Sequence, residues 1–148
     1  MNISPDIKAT YEKLDVAYET LTENYLTINE DNISEALVKH SPNYAFMGAV
    51  TAYAKHMMDS KEIELEKLEF DLRKEAAEIL KARGVRATKD AVDSETMSNP
   101  SLIASKEAVS ESQFTYNLAK NILSSMEHQK DMLVQISSNR RSELKLHT

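Results

Sequence analysis

The 148-residue sequence contains no cysteine and no tryptophan, and it has only two glycines and three prolines. Without cysteine, disulfide frameworks, thiolate metal sites and cysteine nucleophiles are excluded. Because few residues can break a helix or adopt a positive φ, the leading expectation is an all-α fold. The lack of cysteine also agrees with a reducing cytoplasm, which is the expected location.

Long apolar runs are lacking too. The longest stretch without a charged Asp, Glu, Lys or Arg runs from His40 to Ala54 and includes Pro42 and Asn43. It is shorter than the ~20 apolar residues that a membrane-spanning helix needs. The N-terminal "MNISPDIK" has no basic segment followed by an apolar core, so neither a signal peptide nor a membrane partner is expected.

Charge is unevenly distributed along the chain. The net charge is −6, and residues 1–35 hold eight acids and two bases, whereas acids and bases balance in the remainder. Within that remainder, residues 73–89 hold six bases against two acids and are locally +4. The chain therefore combines an acidic N-terminal segment with a basic stretch near its middle.

The three prolines each follow a residue that can cap a helix, in the pairs Ser4-Pro5, Ser41-Pro42 and Asn99-Pro100. Proline suits the first helical position, where its missing N–H would have no partner. The pairs predict three helix starts, with long helices over 41–83 and 99–145.

Shorter elements are predicted from other capping signals. Asn32, three residues before a glutamate, resembles a capping box that opens a short helix ending near His40. Gly84 is placed to end the long helix as a left-handed cap. Thr88 is expected to cap a short helix from Lys89 to about Met97.

Apolar stripes predict how the helices pack. An N-terminal heptad seam recurs at alternating steps of four and three residues: Ile7, Tyr11, Leu14, Tyr18, Leu21 and Tyr25. Two apolar stripes on the last long helix make a face wider than one partner helix can cover. We expect an acidic N-terminal helical segment (1–40), a long antiparallel hairpin (41–148) with a polar elbow at 80–100, and assembly into a homo-oligomer. The N-terminal seam either packs on the hairpin or joins the oligomer contact. The predicted interface residues are Tyr11, Leu14, Tyr18, Leu21, Phe114, Leu118 and Ile122.

Enzyme signatures are missing from the sequence. There is no glycine-rich phosphate loop, no H-E-x-x-H and no E-x-x-H pair. His56 with Asp59, and His128 beside Glu127 and Asp131, are acid–histidine neighbours better explained as solvated surface than as metal ligands. We therefore expect no catalytic residue, no metal and no cofactor.

The basic elbow has more positive charge than a helix end requires. Lys81 and Arg83 lie in a last helical turn, where cations are favourable, but Arg86 and Lys89 lie beyond Gly84. Four cations within nine residues can follow a sugar–phosphate chain without reading bases. These four residues are the predicted nucleic-acid site; the alternative is a solvated charge run.

The stretch Leu80-Lys81-Ala82-Arg83, at the end of a long helix, resembles the L-K-A-R motif of the UvsY-type recombination mediators of tailed bacteriophages. The order of elements around it is also similar over about residues 41–140, with "MGAVTAYAKHMM" before the motif and a second long helix after it. After the motif this chain has Gly-Val-Arg, where the family continues with Leu, Asp and an aromatic residue.

The resemblance implies a ring-shaped, non-enzymatic homo-oligomer in the host bacterial cytoplasm. It would bind single-stranded DNA, help displace a single-strand-binding protein and load a recombinase, with Lys81 and Arg83 contacting DNA. The alternative is a helical oligomeric interaction protein, for instance a phage factor that binds or blocks a host protein through its acidic N-terminal helix.

Overall fold

The computed structural model describes residues 3–28, 31 and 33–146. Within these residues the protein contains α-helices and no β-strand, which confirms the predicted all-α class. The helices are α1 (Pro5–Lys13), α2 (Tyr18–Leu26), α3 (Ile33–Ala82), α4 (Lys89–Met97) and α5 (Pro100–Leu146).

Several predicted helix boundaries are confirmed. α1 begins at Pro5 and α5 begins at Pro100. The Asn99 side-chain oxygen accepts a hydrogen bond from the Ser101 N–H at 2.9 Å, which satisfies a free donor at the start of α5. Thr88 caps α4 in the predicted way, because its hydroxyl oxygen accepts from the Ala91 N–H at 3.3 Å.

The predicted restart at Ser41-Pro42 is wrong, because α3 continues through Pro42. Proline removes one helical hydrogen bond and crowds the preceding turn. Tertiary contacts on both sides hold the helix in place: His40 Nε2 donates to the Met126 carbonyl at 2.7 Å, and the Tyr44 hydroxyl donates to Glu127 at 2.6 Å. The capping box predicted at Asn32 lies outside the described residues.

The N-terminal seam is divided between two helices rather than carried by one. After α1 the chain turns at Leu14, and Ala17 adopts φ −120° and ψ 23° before α2 begins. Asp15 and the β-branched Val16 are weak helix formers, so interruption costs little here. The turn allows Leu14 to be fully buried.

The chain forms two compact units. The terminal unit contains the chain up to Ala54 together with the chain from Thr115, and the middle unit is Lys55–Phe114. These units divide the chain at other places than the predicted boundary between residues 40 and 41. The first part of α3 and the last part of α5 therefore belong to the terminal unit, and α4 belongs to the middle unit.

The terminal unit has an apolar core to which four helices contribute. Its centre consists of Leu14, Met47, Val50, Ala54, Ala119, Ile122 and Met126, all without exposed surface. Side chains of the N-terminal seam, including Tyr18 and Leu21, pack around it. Tyr11 contacts Tyr53 edge to face, with ring centroids 5.2 Å apart. The seam therefore packs within its own chain, which is one of the two arrangements that the sequence allows.

The middle unit buries fewer side chains and uses more ion pairs. Ala76, Leu80 and Leu102 are its buried apolar residues, and buried Thr96 donates its hydroxyl to the Val92 carbonyl at 2.8 Å. Lys106 on α5 lies 3.6 Å from Glu69 on α3. This unit is held by a thin apolar layer and by charged contacts near it.

Candidate nucleic-acid interface

The basic elbow is built on a regular helix termination. Gly84 adopts φ 73°, a conformation that favours glycine. The Val85 N–H donates to the Leu80 carbonyl at 2.9 Å, and the Gly84 N–H donates to the Lys81 carbonyl at 3.0 Å. This pair of bonds is a Schellman motif, which satisfies the last carbonyls of α3. The elbow therefore starts from a fixed geometry, and Thr88 closes it by capping α4.

All four predicted cations at the elbow have exposed side chains. Arg83 lies 3.4 Å from Glu95 of α4, and among the described residues the structure gives Lys81, Arg86 and Lys89 no acidic partner. Lys89 is the first residue of α4, where the helix dipole disfavours a cation. Its charge therefore does not stabilise the helix that carries it.

α4 places acids against the basic segment, which sequence reasoning missed. Arg73 pairs with Asp93 at 3.4 Å, in addition to the Arg83–Glu95 pair. Residues 73–97 hold six bases and five acids, so the local charge falls to +1. Exposed ion pairs contribute only about 0 to 1 kcal/mol, and a phosphate can replace such a carboxylate. The elbow thus presents three cations without an acidic partner among the described residues, and a fourth, Arg83, that is paired with Glu95.

The predicted oligomer residues differ in what the single chain leaves exposed. Leu14 and Ile122 have no exposed surface, because both lie at the centre of the terminal-unit core. Tyr11, Tyr18, Leu21 and Leu118 are half-buried, and Phe114 is exposed. Leu14 and Ile122 therefore have no surface left for a second subunit, and only the other five predicted residues can contact one.

A second polar cluster lies in the terminal unit around Tyr44. An open cavity of about 360 Å³ is lined by His40, Ser41, Tyr44, Glu127, Lys130 and Asp131. The hydrogen bond to Glu127 raises the pKa of the Tyr44 phenol, because the bond requires the protonated form. The cluster links α3 to α5 through contacts 83 and 86 residues apart in sequence, a separation that no local pattern reveals.

The acid–histidine neighbours do not converge. His56 and His128 are exposed, and Asp59 is paired with Lys55 at 3.1 Å. Over the residues that the structure describes, no group of three or more His, Asp or Glu side chains is placed to hold a metal ion. In the same part of the chain, no helix is long and apolar enough to cross a membrane.

Comparisons of this chain with protein-family models, with curated proteins and with solved structures give no significant match. The resemblance to recombination mediators therefore stays an expectation based on the motif at Leu80 to Arg83 and on the order of the helices.

Proposed function

We propose that this protein is a non-enzymatic recombination mediator that binds single-stranded DNA through the basic elbow. In this proposal it is an oligomer in the bacterial cytoplasm that helps a recombinase replace a single-strand-binding protein on DNA. We take α3 and α5 to pair as an antiparallel hairpin, with the elbow in the segment that connects them. Repetition of the elbow in an oligomer converts several weak contacts into useful affinity.

One observation carries the proposal: Lys81, Arg86 and Lys89 are exposed and lack acidic partners among the described residues, on a loop fixed by a Schellman motif and a capped helix. A fixed loop keeps its cations in place without further loss of chain entropy on binding. Such cations neutralise phosphates and do not read base sequence.

The oligomer is supported by apolar surface that the single chain leaves exposed. On α5, Phe114, Met132 and Val134 each keep about half or more of their surface in solvent. An interface between copies would remove this apolar surface from water. Among the proposed contact residues, Phe114 has the largest exposed fraction.

The direct test is fluorescence anisotropy of a labelled oligo-dT at two salt concentrations. The wild type should bind, and log K should fall with log salt by about 0.7 for each phosphate neutralised. The double variant Lys81→Ala/Arg83→Ala should bind more weakly and show a smaller salt slope.

A matched control removes the same charge elsewhere. Lys8→Ala/Lys13→Ala deletes two exposed cations of α1 and gives the same change in net charge. It should leave affinity and salt slope nearly unchanged. Equal losses in the two double variants would show that net charge, and not the elbow, controls binding, and no binding by the wild type at low salt would overturn the proposal.

The mediator step needs its own assay. With single-stranded DNA coated by a single-strand-binding protein, the wild type should shorten the lag before a recombinase assembles. The elbow double variant should fail to do so while remaining oligomeric. DNA binding without any effect on the lag would reduce the function to single-strand binding alone.

A second candidate is a helical oligomeric interaction protein that binds a basic partner through its acidic N-terminal segment. One observation favours it: the acids of α1 and α2 are exposed, whereas the apolar side chains of the same helices pack on the core. The triple variant Glu12→Gln/Glu19→Gln/Glu23→Gln removes charge from this surface without removing core residues. If the acidic surface is the functional site, this variant loses partner binding, and the wild type shows no affinity for oligo-dT.

A further inference from the structure

One exposed face of α3, within the middle unit, alternates apolar and basic residues. Its members follow one another at steps of four and three: Ile63, Lys67, Phe70, Lys74, Ala77 and Lys81. At 3.6 residues per turn they fall within about 80° of one another around the helix. We call this set the α3 stripe.

The two large apolar members of the α3 stripe, Ile63 and Phe70, are open to solvent, whereas Ala77 is half-buried. Ile63 is 66% exposed and Phe70 is 59% exposed, and the three lysines are exposed as well. A single exposed apolar side chain needs no explanation, but a repeated alternation with lysine along one face does. Because these residues bury little within the chain, folding alone does not account for them.

Acidic residues flank the α3 stripe but do not enter it. Along the length of the stripe the nearest acids, Glu66 and Glu78, lie about 60° to either side of its centre, and Asp59, one turn before Ile63 on the same side of α3, is paired with Lys55. Among the described residues, the structure pairs neither Lys67 nor Lys81 with an acid. These two lysines can therefore bind a phosphate without first losing an acidic partner.

Phe70 already has a cation on its ring. The Lys74 ammonium lies 4.3 Å from the ring centroid. Such a contact is weak at an exposed site, so a flat ligand can displace the ammonium from the ring. The displaced ammonium stays within reach of a phosphate attached to that ligand.

We propose that the α3 stripe is a stacking platform for single-stranded nucleic acid, in which Phe70 carries a base and Lys67, Lys74 and Lys81 hold neighbouring phosphates. Sites for single strands combine aromatic faces with cations in this way, and they tolerate any sequence because every base has a π face. The inference rests on the proposed function, since Lys81 belongs to both the elbow and the α3 stripe.

A second copy of the chain is the competing occupant. Two α3 stripes facing each other would bring lysines against lysines, which is unfavourable. The acidic surface of α1 and α2 has the complementary charge, but the tyrosines and leucines of those helices pack on their own core. That surface therefore offers little apolar area to cover Phe70 and Ile63, whereas a base covers the ring directly.

The chain lacks tryptophan, so Phe70→Trp places a single indole, whose emission can be separated from that of the tyrosines, on the α3 stripe. A base stacked on the indole should quench its emission as oligo-dT is added. Val38→Trp is the matched control, because Val38 is 76% exposed and lies on α3 outside both the stripe and the predicted oligomer contact. We expect saturable quenching at position 70 and none at position 38.

Affinity gives a second, independent readout. Phe70→Leu keeps an apolar side chain on the helix but removes the π face, and it should weaken oligo-dT binding roughly tenfold. On an abasic oligonucleotide of equal length, Phe70→Leu and the wild type should bind equally, because only phosphates remain. Lys67→Ala should reduce the salt slope by about 0.7 on both ligands.

The outcomes separate this inference from the function on which it rests. If the wild type binds and the elbow double variant is impaired, but position 70 shows no quenching, the stacking platform is wrong and the elbow stands. If Phe70→Leu changes the oligomeric state instead of DNA affinity, the α3 stripe is a contact between copies and the inference fails. If the wild type does not bind, both proposals fall.

Discussion

At the scale of single residues, Arg83 shows why charge counted along a chain differs from charge presented at a surface. The sequence places it in a +4 segment, but α4 folds Glu95 to 3.4 Å from its guanidinium. Lys81, two residues earlier, has no acidic partner among the described residues. An incoming phosphate must displace a carboxylate at one position and only water at the other.

Removing that carboxylate should strengthen DNA binding. In Glu95→Gln, Arg83 no longer has to give up a carboxylate before it binds a phosphate. We expect the dissociation constant for oligo-dT to fall by up to about fivefold, which corresponds to the free energy of one exposed ion pair. Glu35→Gln breaks the Glu35–Lys39 pair in the terminal unit and is the control. Equal effects of the two variants on affinity would indicate a response to net charge alone.

Leu14 should be among the residues on which stability depends most. It has no exposed surface, whereas Val16 in the same turn is 86% exposed. Leu14→Ala should lower the free energy of unfolding by about 2 to 5 kcal/mol, because it leaves a cavity in the core. Val16→Ala should change it by less than about 0.5 kcal/mol. Urea unfolding measures both, and similar values would contradict the described core.

The Tyr44 phenol should respond to alkaline pH. Its pKa is raised above 10.0 by the hydrogen bond to Glu127. A raised pKa means that the stabilising contribution is complete at neutral pH and is lost as pH rises through the pKa of the folded state. Subtracting the ultraviolet titration of Tyr44→Phe from that of the wild type should isolate this phenol. Glu127→Gln should return its pKa toward 10, and an unchanged curve would count against the bond.

At the scale of elements, the two glycines have opposite roles. Gly84 ends α3 with φ 73°, and Gly48 lies inside α3 in ordinary helical conformation. A Cβ added at either glycine would lie within 4 Å of no atom beyond the adjacent backbone. The two glycines therefore differ in backbone conformation and not in the space around them.

This contrast gives a paired prediction. Gly84→Ala should destabilise the protein by about 1 to 2 kcal/mol, because an L-residue is strained in the left-handed region. Gly48→Ala should stabilise it by about 0.5 to 1 kcal/mol, because alanine loses less backbone freedom in a helix. Thermal unfolding should move the two melting temperatures in opposite directions, and shifts of the same sign would argue against the Schellman termination.

At the scale of the whole molecule, the balance between apolar burial and exposed apolar surface differs along α5. Ile122, Met126 and Leu133 are fully buried, while Phe114 and Met132 remain exposed on the same helix. The buried face serves the fold of the single chain. The exposed face is the surface from which we infer homo-oligomerisation.

Multi-angle light scattering tests that inference. At micromolar concentration the wild type should have a mass that is a multiple of 16.7 kDa. Phe114→Ser/Met132→Ser should shift the mass toward that of a single chain. Both side chains are exposed, so replacing them removes apolar contacts between copies without opening a cavity in the core. The exposed control Leu144→Ser, near the end of α5, should leave the mass unchanged. A wild-type mass of one chain would remove the oligomer from the proposal.

The sequence by itself determined the helical class, the starts of α1, α4 and α5, the glycine termination of α3 and the exposure of the elbow cations. Each depends on local physics: capping groups, the φ of glycine, and the cost of burying a charge. These contributions act within a few residues, so they can be read without knowing the rest of the chain.

Tertiary structure alone decided the continuation of α3 through Pro42, the turn at Leu14, the acids that α4 brings to Arg73 and Arg83, and the link between Tyr44 and Glu127. All four depend on partners distant along the chain or on burial in a shared core. Packing and pairing of this kind can outweigh local propensity, because the energy gained by contacts exceeds the small differences between local conformations.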